Sequence, residues 1–175
     1  MRSLTRTFRL ALGLALVALG CVLAAVGQGP TRFRLGSFSL LMPGPARLIN
    51  TQNTGNSIAT VYESDSPVAK FFVTLVRFNS YQQSVTPEQF AHNMTVGAAG
   101  AQVLGLWTDR LAGYPADKVL YRIGNMTVLA WSVQPDRKLN YILSVNGLDS
   151  PQFRNRAEQY ALSMRVEGEH AGLKR

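Results

Sequence analysis

Apolar and polar positions alternate along the chain most clearly between Lys118 and Asn146. In Lys118–Ile123, Val119, Tyr121 and Ile123 share one side, and Lys118 and Arg122 are among their neighbours. Gly124-Asn125 follows, a pair that tolerates the positive φ of a two-residue hairpin turn. Met126–Gln134 and Leu139–Asn146 are two further β-rich runs, separated by Pro135-Asp136-Arg137-Lys138. There proline presets φ and the charges keep a turn in water. The pattern predicts a three-stranded antiparallel meander.

Upstream, Phe38–Met42 reads as a first strand, halted by Pro43-Gly44-Pro45 and preceded by the basic segment Thr31-Arg32-Phe33-Arg34. Asn50–Ser57 is polar and rich in turn formers, which predicts an exposed loop. Ile58–Glu63 and Ala69–Phe78 read as strands about the turn Ser64–Pro67. Ala69–Phe78 is apolar on both faces, as in a central strand covered on two sides. Ala101–Asp109 is a further strand, and its Gly105 signals a bulge or a close backbone approach.

Two helices are announced by their caps. Thr86-Pro87-Glu88-Gln89 forms a capping box, with Phe90 and Met94 facing the core and Gly97 as the stop. Ser150-Pro151 opens the second, in which Phe153, Ala157, Tyr160, Ala161 and Met164 form one apolar stripe. Arg154, Arg156 and Glu158 take its wet side. The sum is an α+β domain: a central antiparallel β-sheet of about six or seven strands with two main helices packed on it, an αβα-type sandwich.

Residues 1–29 are set apart from this domain. Arg2, Arg6 and Arg9 precede the uncharged run Leu10–Val26, and Ala25-Val26-Gly27 supplies small residues for cleavage. The pattern predicts an export signal. The alternatives are a retained membrane anchor, although the run is short of the ~20 residues of a spanning helix, and a lipoprotein signal acylated at Cys21. Each puts the domain outside the cytoplasm: periplasmic, extracellular or membrane-tethered. Residues 30–166 then form the domain and residues 167–175 a polar tail.

Charge narrows the partners. The chain carries +8, but three of its 18 basic residues lie in the leader, leaving +5 on the rest without a basic run. No nucleic-acid stripe is visible. Cys21 is the single cysteine, so the domain has no disulfide, thiolate metal site or cysteine nucleophile.

Candidate chemistry is sparse. His92 and His170 are the two histidines; neither has a sequence neighbour that would make it a zinc ligand or the base of a relay. No nucleotide-binding or hydrolase motif occurs, so no catalytic residue, metal or cofactor is assigned. Asp109 and Asp117 are a carboxylate pair that folding could bring together. Trp107, Tyr114, Trp131 and Tyr141 could line an apolar groove, although aromatic residues in strands more often fill a core.

In this order of elements the chain resembles the PsbP-like α/β sandwich superfamily. That group includes the extrinsic photosystem II subunit, the Ran-binding nuclear import factor and DcrB-type bacterial envelope lipoproteins. The likeness rests on F-S-L-L-M-P, T-P-E-Q-F, L-G-L-W, L-A-G-Y-P-A-D-K-V-L-Y at Leu111–Tyr121, the pair W-S-V and Y-I-L-S-V, and a closing helix near M-R-V. It implies a central antiparallel sheet flanked by helices and a non-catalytic binding or assembly role, and it brings no site residues with it. The expected function is therefore an exported binding or assembly module of the bacterial cell envelope. Its partner would be another envelope protein or a membrane complex, with the membrane itself contacted through an uncleaved leader. A carrier of a small apolar ligand, held between the sheet and the Phe153–Met164 helix, is the first alternative. A hydrolase assembled from dispersed residues is the second.

Overall fold

A computed structural model describes residues 29–167. Its strands are β1 (Thr31–Leu35), β2 (Phe38–Met42), β3 (Arg47–Asn53), β4 (Ser57–Asp65), β5 (Ala69–Phe78), β6 (Gln102–Leu111), β7 (Tyr114–Ile123), β8 (Met126–Asp136), β9 (Leu139–Gly147) and β10 (Arg165–Val166). The helices are α1 (Pro87–Thr95) and α2 (Pro151–Leu162). The chain is α+β and mostly β. Seven strands form an antiparallel sheet in the order β3-β4-β5-β9-β8-β7-β6, and β1-β2-β10 form a separate three-stranded sheet.

The meander is β7-β8-β9, and its alternation decides which helix each strand meets. Val119 and Tyr121 of β7, with Val128 and Ala130 of β8, pack against Phe90, Ala91 and Met94 of α1. Ala116 and Leu120, with Leu129, Trp131 and Val133, point the other way into the larger core. There they meet Phe153, Ala157, Tyr160 and Ala161 of α2 and Phe38, Leu40 and Met42 of β2. The two helices thus lie on opposite faces of the large sheet, and the small sheet shares the α2 face. A strand covered on both sides needs a continuous apolar run. Thr127–Val133 of β8 are accordingly all buried.

Both helix starts follow their sequence signals. At α1 the Gln89 N–H donates to Thr86 Oγ1 at 3.3 Å, while Gln89 Oε1 accepts from the Thr86 N–H at 2.9 Å. At α2 the Phe153 N–H donates to Ser150 Oγ at 3.0 Å. Each cap satisfies an amide that the first helical turn would leave unpaired. The end of α2 is pinned as well: Ser163 Oγ accepts from the Leu41 N–H at 2.9 Å, and Tyr160 donates its hydroxyl to the Phe72 carbonyl at 2.6 Å.

Five expectations are corrected. Phe38–Met42 belongs to the second sheet rather than to a single central one, and it is not the first strand, since the basic segment Thr31–Arg34 before it is most of its partner strand β1. Asn50–Ser57 is not all loop: Asn50–Asn53 extend β3, which pairs with β4 alone. On an edge strand both faces can stay wet, so polar side chains do not oppose pairing. The Pro135–Lys138 turn is shorter than expected, because β8 runs to Asp136 and absorbs Pro135 in a register shift between Val133 and Asp136. Finally, β5 is central but not fully covered: Thr74 and Val76 are half-buried where α1 does not reach. The leader, Cys21, His170 and the tail beyond Glu167 lie outside the described residues.

Candidate interaction surface

The large sheet has two edges, β3 and β6, and they are built differently. Strand β3 has seven residues, a bulge between Leu48 and Asn50 and the polar run Asn50–Asn53. Its Arg47 is held at 3.1 Å from both Glu63 and Asp65, and Lys70 Nζ lies 3.0 Å from Glu63. Burial pushes the Glu63 carboxyl up, but the hydrogen bonds around it, led by Lys70, outweigh that and hold it below the usual carboxylate range. Burial and the neighbouring Glu63 charge raise Asp65. The bulge, the ion network and the polar run are features that discourage pairing, although Leu48 and Ile49 between them are exposed by 58% and 41%.

Strand β6 has ten residues and pairs with β7 alone among the described residues. Val103, Leu104 and Trp107 are exposed by 41%, 40% and 47%. Its two charged residues are engaged at the far end: Asp109 Oδ1 accepts from the Arg110 N–H at 2.7 Å, and the Arg110 guanidinium donates to the Gly113 carbonyl at 2.7 Å. Gln102–Thr108 is therefore a free strand edge without a charge, and partly apolar. A bulge between Val103 and Gly105 makes Leu104 the extra residue. Gly105 is needed for a close approach: the Trp107 indole lies over it, where a Cβ would collide with the ring.

Trp107 stands in a row across the sheet, opposite Lys118, which is opposite Trp131. Lys118 Nζ is 5.5 Å from the centroid of each indole and pairs with Glu158 of α2. An ammonium held over aromatic faces and paired with a carboxylate fixes the direction of both rings. Trp131 is fully buried, and its Nε1 meets no acceptor among the described residues.

The four aromatic residues singled out from sequence do share the α2 side of the sheet, yet they do not line a groove together. Trp131 and Tyr141 are core, with Tyr141 stacked on Phe38 at 4.3 Å, and Tyr114 packs partly buried against the same cluster. Trp107 alone of the four offers a large exposed ring.

Asp109 and Asp117 are not brought together. Asp109 is opposite Ala116 on the α2 side, whereas Asp117 is opposite Thr108 on the α1 side. Burial and then the Glu88 charge raise the Asp117 carboxyl. His92 is exposed on α1 and lies in no ion pair among the described residues. Among the described residues no cluster of three or more His, Cys, Asp or Glu side chains could hold a metal ion. Likewise, no helix is long and apolar enough to cross a membrane.

The space between α2 and the sheet is filled by side chains with no exposure: Phe153, Ala157, Ala161 and Met164. At its rim an open cleft of about 370 Å³ runs past Pro30, Leu41, Pro43, Pro67, Arg156 and Gln159. Sequence reasoning missed this cleft and the β6 edge, since both arise where elements distant in sequence stop.

No protein-family model matches the chain. No curated protein matches it. Among solved structures it is similar to PA94, a protein of unknown function from Pseudomonas aeruginosa, at 14% identity and a TM-score of 0.48. The match spans 81% of this chain and 100% of that one.

Proposed function

We propose that this chain is an exported binding or assembly module of the bacterial cell envelope, built as a PsbP-like αβα sandwich and acting by contact rather than by catalysis. The observation that carries the reading is the β6 edge. Unpaired strand backbone beside exposed Val103, Leu104 and Trp107 is a surface that folded proteins ordinarily blunt or cover. On the opposite edge the ion network, a bulge and a polar run flank exposed Leu48 and Ile49, whereas Gln102–Thr108 of β6 carries no charge and has no second strand partner among the described residues. The leader pattern of residues 1–29 supports export, and an uncleaved or acylated leader would hold the module at a membrane. The helices on opposite sheet faces support the sandwich.

The test is a photo-crosslinking amino acid placed at Leu104 of the full chain in its native cell, with Arg77 as the control position. The reading expects protein adducts from position 104 and a large excess over position 77. Equal labelling at both positions would refute it.

A further inference from the structure

The β6 edge fits one partner in particular: we propose that it pairs antiparallel with β6 of a second copy, joining two seven-stranded sheets across a two-fold axis. This rests on the reading of β6 as the contact surface and adds the identity of what covers it.

Strand β6 is complementary to itself. In an antiparallel pair the residues that face each other must lie on the same side of the sheet. In β6 the α2 side carries Gly105, Trp107 and Asp109, and the α1 side carries Val103, Leu106 and Thr108. A two-fold axis at Leu106 sets Leu106 against itself and Trp107 against Gly105 of the other copy. Each indole already leans over its own Gly105, so the two rings come to lie side by side above two residues that have no side chain. With Leu104 looped out at its bulge, Thr108 then faces Val103 and Asp109 faces Gln102. No like charges meet, and every exposed apolar side chain except the bulged one gains a neighbour.

The helix layer agrees. Helix α1 lies over β6 and β7. With strands about 4.8 Å apart, a two-fold axis just outside β6 brings the two α1 helices to about 10 Å, a spacing at which helices pack. The other edge does not offer the same match. A β6-to-β3 contact would be head-to-tail and would leave two edges open to continue the chain of copies. It would also set the uncharged strand against Arg47 and the polar run of β3.

The test uses the full chain with Leu106→Cys, because directly opposed residues in an antiparallel pair are close enough for a disulfide. Wild type carries Cys21 alone and is the first control; Thr51→Cys on β3 is the second. Under a mild oxidant, Leu106→Cys should give at least tenfold more disulfide-linked dimer than either control. Adding Trp107→Lys should return it to the control level. In case Leu106→Cys disturbs the α1 face, light scattering on the wild-type chain should independently give twice the chain mass, reduced to one by Trp107→Lys. A monomeric wild type, or a dimer indifferent to Trp107→Lys, would overturn the pairing. If photo-crosslinks from Leu104 join a different protein and no self-dimer forms, the second copy is wrong and the surface stands. If Leu104 joins nothing, both fall.

Discussion

Gly147 ends β9 directly beneath α2, and replacing it with alanine is a sharp perturbation of how that helix is seated. Its backbone is not in the left-handed region, so an L side chain meets no conformational penalty and contact alone decides. A Cβ there would stand 2.7 Å from Phe153 Cδ2 and 2.9 Å from the Val68 carbonyl oxygen. Neither neighbour can retreat easily, since Phe153 is fully buried and the other is backbone. Overpacking of this kind costs about 1–3 kcal/mol, and losing a strand glycine returns roughly 0.5 kcal/mol. A net loss of about 1.5 kcal/mol is expected. For a domain of this size it corresponds to a drop in Tm of roughly 5–8 °C, measured by calorimetry and far-ultraviolet circular dichroism. Phe153→Leu should destabilise alone, but the double variant should fall short of the sum by about 1 kcal/mol, because the smaller side chain vacates the space. A Tm for Gly147→Ala within about 2 °C of wild type, or strict additivity with Phe153→Leu, would refute this account of the seat.

Three further outcomes follow from charges placed in the fold. Asp117→Asn should raise Tm at neutral pH, because burial and Glu88 disfavour the charged carboxylate. A folded pKa above the unfolded one means that the penalty is full above the folded value and absent below the unfolded value, near 3.9. The gain measured in pH-dependent melts should therefore vanish on acidification. Glu63→Gln should cost about 1–2 kcal/mol at pH 7, discounted for the exposed Arg47 and Lys70 ends of its network. Since the Glu63 carboxyl is lowered in the fold, its contribution is complete above the unfolded value, near 4.3, and is lost as pH falls through the folded one. Urea titrations across that range would show the wild type converging on the variant. Lys118→Met should cost about 1–2 kcal/mol through loss of two aromatic contacts and a partner for Glu158. In that background Glu158→Gln should cost nothing more, whereas an undiminished second loss would show that the pair is not coupled.

What could be read in advance was local. The capping box at Thr86, the serine cap at Ser150 and the stripe from Phe153 to Ala161 depend on residues within a few turns of one another, and so does the meander; Met164, expected as the last member of that stripe, is buried but lies past the end of α2 at Leu162. Gly105 signalled a bulge and a close approach, and both are present, although the neighbour that fills the space is Trp107 from its own strand. The division into two sheets was hidden because β2 gains β10 from more than a hundred residues away. Nor does the polar run Asn50–Asn53 announce β3, since a wet edge strand lacks the alternation that burial imposes. The surface was hidden for a related reason. Val103 and Trp107 look like core residues by type, and only the strand order, which ends at β6, turns them outward. Trp131 and Tyr141, equally aromatic, are interior because α2 and Phe38 fold back over them.

The three-stranded sheet joins the first and last described strands through β2, with Arg165 opposite Ser39 and the Leu41 amide bound to Ser163 across 122 positions of sequence. On the ribosome, Phe38, Leu40 and Met42 would emerge long before their cover exists. Contacts this distant incur loop-closure entropy before they return any stabilisation. The large sheet can assemble progressively, but its α2-side interior stays unsealed until the closing helix and the short strand after it have been made. Shortening the chain to end before Met164 should thus leave a collapsed species that binds hydrophobic dyes, instead of a smaller native domain.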